Sequence, residues 1–207
     1  IKLLGDFTQV QINSDHMFVG AAVLDNYLSK FCYQKSITGY EFLFTIPGSI
    51  GGNIFMNAGC YNQEIKDKLI SVIYYDINQN KIYEKNISEL QFDYRKGFQK
   101  NNTIILYGKF KITYKDQDYI KSLMKEFDII RKQSQPQKVN CCGSIFKNPK
   151  NQSAWRLIKS SIDESFYNGP IKLSRTHSHF FENEPNISAN IIDLFISKIQ
   201  KRVKDKQ

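Results

Sequence analysis

The residues with the most chemistry per position lie in Thr45-Ile46-Pro47-Gly48-Ser49-Ile50-Gly51-Gly52-Asn53-Ile54-Phe55-Met56-Asn57-Ala58-Gly59-Cys60-Tyr61. Glycine allows close backbone approach, and Pro47 fixes φ while giving up its N–H. A loop of this kind bares backbone N–H groups toward one point, which suits a phosphate or a polar ring edge. An ordinary strand-to-helix turn is the competing reading for any glycine cluster. Farther on, Tyr94-Arg95 follows Phe92, an aromatic anchored in the core. Standing alone, this arginine reads as a surface partner for a carboxylate. Ser144 follows Gly143, and alone it reads as a turn serine. Adjacent Cys141-Cys142 with His177-x-His179 lack the paired spacing of a zinc site, so no metal is expected and both histidines read as structural.

Order and length lift these residues above chance. The glycine stretch resembles the flavin-contacting loop of the UDP-N-acetylenolpyruvoylglucosamine reductase (MurB) family, which reads G-I-P-G-[ST]-[IV]-G-G-x-x-x-M-N-A-G-x-Y. It departs at Thr45, where that family has Gly. Two further blocks of the family follow in order, Phe92-Asp93-Tyr94-Arg95 and Gly143-Ser144-Ile145-Phe146-Lys147-Asn148-Pro149, with Arg131 and Gln135-Pro136 ahead of the second. The resemblance implies FAD held by Ile46, Pro47, Gly48, Ser49, Gly51, Gly52, Asn57, Ala58 and Gly59, with NADPH as reductant. It assigns Arg95 to the charge that develops on the substrate once hydride has been delivered, a role suited to a guanidinium that stays protonated in a rigid donor fork. Ser144 is implied as the proton donor; a hydroxyl is a poor acid and acts so only within a preorganised relay. Tyr94, Lys147 and Asn148 are implied to bind a nucleotide-sugar substrate. Ser174-x-x-His177 also resembles a family segment, although Gly169-Pro170-Ile171 replaces its Gly-Gly-Ala turn and Lys96-Gly97 replaces a small polar position.

These residues need elements to hold them. Short strands are expected before residue 23, then a helix capped by Asp25, with Leu24, Leu28, Phe31 and Cys32 on one stripe. After the glycine loop, residues 70–75 are apolar on both faces and read as an interior strand, and a strand near 81–84 follows the turn at Asn78-Gln79-Asn80. Residues 104–114 place Ile104, Leu106, Phe110 and Ile112 on one face. The polar run 115–118 predicts the boundary between a domain at 1–115 and a second at 116–207. The second starts with a helix carrying Ile120, Leu123, Met124, Phe127 and Ile130, which Gln135-Pro136 stops. A helix around Trp155, a strand pair within 171–181 and a last helix capped by Ser188 complete the reading. The fold class expected is α+β: a partial vanillyl-alcohol-oxidase/PCMH-type flavin lobe, then the C-terminal substrate domain of the resembled family.

Composition bounds the rest. Hydrophobic content of 41% with 14% aromatics marks a folded chain. No apolar run approaches the roughly 20 residues of a membrane span, and the first residues lack a signal-peptide layout. The formal charge of +9 is spread along the chain, without a basic block or stacking motif, so an anionic small molecule is a better partner than nucleic acid. The cysteine pattern is that of reduced thiols. A cytoplasmic monomer is expected, and the resemblance implies that it reduces the enolpyruvyl sugar nucleotide to UDP-N-acetylmuramate for the cell wall. Nothing before residue 20 resembles the family's Gly-rich pyrophosphate segment, and its glutamate-bearing terminal segment finds no match. The alternative is therefore a truncated, catalytically inactive remnant. Another flavoenzyme of the same fold and a basic nucleic-acid module are the remaining rivals.

Overall fold

In the computed structural model, residues 2–137 and 139–206 are described; Ile1, Lys138 and Gln207, including both chain ends of the expected domains, lie outside the described residues. The chain divides into two compact units, Ile1–Ile129 and Ile130–Gln207.

In the first unit the elements run β1 (Val10–Ile12), β2 (His16–Gly20), α1 (Asp25–Gln34), a 3-10 turn (Glu41–Thr45), α2 (Ile50–Met56), β3 (Gly59–Cys60), β4 (Gln63–Glu64), β5 (Leu69–Asp76), β6 (Lys81–Asn86) and β7 (Thr103–Lys111). The sheet order is β1-β2-β7-β5-β6, antiparallel throughout. Strands β7 and β5 are interior, as the two apolar faces of 70–75 require. Leu106 and Phe110 of β7 alternate inward, and Val72 and Tyr74 of β5 join them. Leu28 and Cys32 of α1 and Ile50 and Ile54 of α2 complete this core. Each fully buried side chain of this size contributes about 1.5–3 kcal/mol of transfer free energy. Helix α2 lies close on the sheet at Gly108, where a Cβ would stand 2.8 Å from Ile54 Cδ1.

One expected cap does not form. Leu24 occupies the N-cap position of α1, and Asp25 is wholly buried, drawn inward by a hydrogen bond from Asn53 of α2. Helix α3 (Gln117–Ser134) begins within the polar run at 115–118, yet its Leu123 and Phe127 pack into the first core. That packing places the division of the units within α3, later than the 115/116 boundary read from composition.

The second unit contains α4 (Ala154–Ser161), the antiparallel pair β8 (Ile171–Leu173) and β9 (Phe181–Asn183), and α5 (Ala189–Asp205). Its own core gathers Ile158, Phe166, Ile171, Leu173, Phe181 and Ile199. Ser188 sits at the N-cap of α5, but its side chain makes no capping hydrogen bond. No described helix is long and apolar enough to cross a membrane.

Candidate active-site elements

The glycine loop is sealed along one edge and open along the other. Ile50 donates its N–H to Val23 O at 2.9 Å and Gly51 to Ala21 O at 2.8 Å, while Asp25 N–H donates to Gly48 O at 3.2 Å. The amides at 50 and 51 are therefore spent on the fold and are not among the N–H groups that the loop can bare. Among the described residues, the amides of Gly48, Ser49 and Gly52 make no hydrogen bond. The glycines divide the same way. A Cβ at Gly51 would stand 2.9 Å from Ala21 Cβ, whereas one at Gly52 would meet only Ser49 Oγ at 3.8 Å. Gly51 is thus required by packing, and Gly52 leaves space at the surface. Two cavities border the loop. One of about 380 Å³ is lined by Leu24, Phe44, Thr45, Ile46, Pro47 and Gly48. Another of about 240 Å³ is lined by Ser49 and Gly51 with Phe55, Phe98 and Lys100 among others. Bare amides beside open space fit an anionic or polar-edged group such as a flavin nucleotide.

Beneath the loop, Asp25 Oδ1 accepts from Asn53 Nδ2 at 2.7 Å, and its Oδ2 is buried without a hydrogen-bond partner. Burial strips water from the carboxylate and pushes its pKa up to about 7, against the opposing pull of the Asn53 hydrogen bond. The same Oδ2 would lie 2.9 Å from a Cβ at Gly48, so a side chain at this position would have to displace the carboxylate.

Asn57 ends α2 in the left-handed conformation at φ 45°. It is fully buried, and its Nδ2 donates to Glu64 Oε2 and to Asp93 O, both at 2.9 Å. Its Oδ1 accepts from Lys66 N–H at 3.3 Å. This side chain acts through the fold: it ties the end of α2 to the 93–96 turn. Asp93 and Lys96 exchange both backbone hydrogen bonds, leaving Tyr94 and Arg95 as the two turn residues. The turn presses on α2 because Gly97 has no side chain: a Cβ there would stand 1.9 Å from Ile54 O. Gly97 N–H then donates to Phe55 O at 3.1 Å and Phe98 N–H to Ile54 O at 3.0 Å. As a result Arg95 Nη2 donates to Gly59 O at 2.7 Å. Two sequence blocks 36 residues apart are thereby joined within one unit. Ala58 is held by its N–H on Asn53 O at 3.0 Å, and exposed Tyr94 lies under the Arg95 guanidinium at 5.0 Å. In the sequence Gly97 reads only as a departure from the family pattern, whereas the fold uses it for this close approach.

In the second unit Ser144 is exposed and bridges Phe180 in antiparallel fashion. Ile145 N–H donates to His179 O at 3.2 Å, and Phe146 N–H donates to His179 Nε2 at 2.7 Å. His179 N–H in turn donates to His177 Nδ1 at 3.2 Å. Burial lowers the pKa of both imidazoles. The accepting roles of Nε2 and Nδ1 favour the neutral forms as well. Asn148 Oδ1 accepts from Ala154 N–H at 3.0 Å, at the start of α4. Lys147 lines an apolar cavity of about 550 Å³ with Phe146, Pro149, Leu157, Ile199 and Val203. Cys32 is buried, Cys60 half-buried and Cys141 and Cys142 exposed, all as free thiols. Among the described residues, no group of three or more His, Cys, Asp or Glu could hold a metal.

Known proteins resemble the chain along its whole length. The family model for the C-terminal domain of UDP-N-acetylenolpyruvoylglucosamine reductase matches residues 135–207. A protein of that name from Pelagibacter ubique is 36% identical over 210 residues, covering 100% of this chain and 69% of its own length. Another from Rickettsia felis is 34% identical over 193 residues, covering 93% of this chain and 65% of its own. The crystal structure of the reductase from Thermus caldophilus superposes with a TM-score of 0.84 at 28% identity, over 97% of this chain and 73% of that one.

Proposed function

The chain belongs to the UDP-N-acetylenolpyruvoylglucosamine reductase family, which serves peptidoglycan synthesis, and from that premise we propose that it provides the flavin loop and substrate unit of such a reductase. It spans about two thirds of the relatives it matches, so its own activity belongs to this proposal. The loop at 46–52 holds FAD through the amides of Gly48, Ser49 and Gly52, with Ile46 and Pro47 shaping it and Gly51 packing it down. Ala58 and Gly59 form the second wall, and buried Asn57 ties that wall to the 93–96 turn. Bound there, FAD would supply the hydride chemistry that links NADPH to the enolpyruvyl double bond of the UDP-sugar.

The chain's own residues then handle charge and proton. Arg95, held by the hydrogen bond from its Nη2 to Gly59 O, answers with its guanidinium charge the enolate-type charge left on the substrate carboxyl group. Ser144 gives a proton to the carbon beside that carboxyl group, which converts the enolpyruvyl ether to the lactyl ether of UDP-N-acetylmuramate. Tyr94, Lys147 and Asn148 orient the nucleotide sugar, Asn148 while also holding the start of α4.

The observation that carries the reading is the set of three bare amides on a loop whose other edge is sealed. The test titrates the purified chain with FAD and follows flavin absorbance, then adds NADPH and the enolpyruvyl nucleotide and follows NADPH loss. Stoichiometric flavin uptake with substrate-dependent NADPH oxidation is expected. A colourless chain that consumes no NADPH would establish the inactive remnant instead.

A further inference from the structure

The backbone that bears Ser144 is held by one residue of the second unit. His179 accepts two successive amides, Ile145 N–H on its carbonyl at 3.2 Å and Phe146 N–H on its ring Nε2 at 2.7 Å. Its own N–H donates to His177 Nδ1 at 3.2 Å, and His177 O accepts Phe180 N–H at 2.9 Å. The rings reinforce this arrangement. Phe146 stacks on His179 at 5.9 Å and 6°, His177 lies against His179 at 6.0 Å and 21°, and Trp155 follows His177 at 5.8 Å. On the other side of Ser144 stands Gly143, with φ +86° and nothing within 4 Å of where its Cβ would be. Glycine without packing fixes little. The direction of the Ser144 side chain is therefore set from the 145–146 side.

We propose that His179 is the positioning residue of Ser144: its ring nitrogen and carbonyl clamp the 145–146 amides and so hold the Ser144 hydroxyl in one orientation. The proposal rests on reading Ser144 as the proton donor. A leucine of similar bulk would fill the space of the ring but leave the part-buried Phe146 amide without its acceptor, which is the costly half of such an exchange. Glutamine places its amide oxygen three bonds from Cβ, as Nε2 is in histidine, and so restores the acceptor. Asparagine places it one bond short.

Hydrogen–deuterium exchange at the Phe146 amide, read by NMR, compares wild type with H179L, H179N and H179Q. Exchange about tenfold faster in H179L, with near-wild-type protection in H179Q, is expected. H179N gives the same contrast with H179Q should H179L fail to fold. In the reaction, H179L should slow enolpyruvyl reduction about tenfold while flavin reduction by NADPH keeps its rate, and H179Q should recover most of the loss. Unchanged Phe146 exchange in H179L and H179N would overturn the clamp. Faster exchange with unchanged enolpyruvyl reduction would overturn its link to Ser144. A wild-type chain that takes up flavin but reduces no enolpyruvyl substrate would remove Ser144 as donor, and with it the catalytic half of the proposal, while amide exchange would still decide the clamp.

Discussion

Asp25 sits where a carboxylate is most costly: wholly buried, with one oxygen bonded to Asn53 and the other unpartnered. Its pKa is pushed from an ordinary 3.8 up to about 7, because burial disfavours the charged form. A folded pKa above the unfolded one means that the folded chain binds the proton more tightly. The stabilisation from this proton is complete below the unfolded value and is lost as pH rises through the folded one. Asp25→Asn keeps an acceptor for Asn53 and removes the charge. We expect it to be close to wild type in stability near pH 4 and about 2–4 kcal/mol more stable near pH 8, measured by urea unfolding at both pH values. A variant no more stable than wild type at the higher pH would show that Asp25 ionises freely in the fold. Read from sequence, Asp25 is a cap, because residue type before an apolar stripe is a local signal. Its actual partner lies 28 positions on and contributes nothing to that local pattern.

At the scale of elements, two glycines near the proposed flavin loop do opposite work. Gly97 lets the 93–96 turn close on α2, and a Cβ would meet Ile54 O at 1.9 Å and Asn57 N at 2.7 Å, both backbone atoms. Gly97→Ala must therefore displace the turn and with it the Arg95 guanidinium from Gly59 O. A loss of about 2–4 kcal/mol in unfolding free energy is expected. Gly52 lies inside α2 with open space before it. Gly52→Ala should leave stability unchanged or raise it by about 0.5–1 kcal/mol through helix propensity, while a methyl group beside the bare amides weakens FAD binding by about tenfold or more in titration. Equal FAD affinity in Gly52→Ala would place the flavin elsewhere. The glycine cluster itself was readable as a loop, since glycine and proline density is a local property. Which glycine packs and which opens was not, because Ala21, Ile54 and Phe55 reach these positions only through the fold. Strand order was legible in part: two apolar faces marked β5 as interior, but nothing local says that β7 separates it from β2.

Over the whole molecule, the titratable groups give the two units opposite responses to pH. In the first, Asp25 makes acid stabilising, by the sign worked out above. In the second, burial lowers the pKa of His177 and His179, so the folded unit prefers both neutral. Their contribution is full above the ordinary value of 6.5 and is lost as pH falls below it toward the folded values. Asp15, Asp76, Asp163 and Glu164 are held below their ordinary values, each first by a side-chain hydrogen bond, so their contributions fade only in stronger acid. Between about pH 5 and about pH 7.5 the opposed groups therefore decide the balance. The probes separate cleanly. Trp155 is the one tryptophan of the chain and belongs to the second unit, while Cys32 is a buried thiol of the first. On raising the pH across that window, the midpoint of thermal unfolding read by Trp155 fluorescence should rise. The midpoint read by mass-resolved alkylation of Cys32 should fall, each by several degrees for about 1 kcal/mol. Each unit buries an apolar core of its own, which is what lets the two transitions part. Midpoints that move together in one direction would mean that the units unfold as one and that a single group sets the pH dependence of the chain.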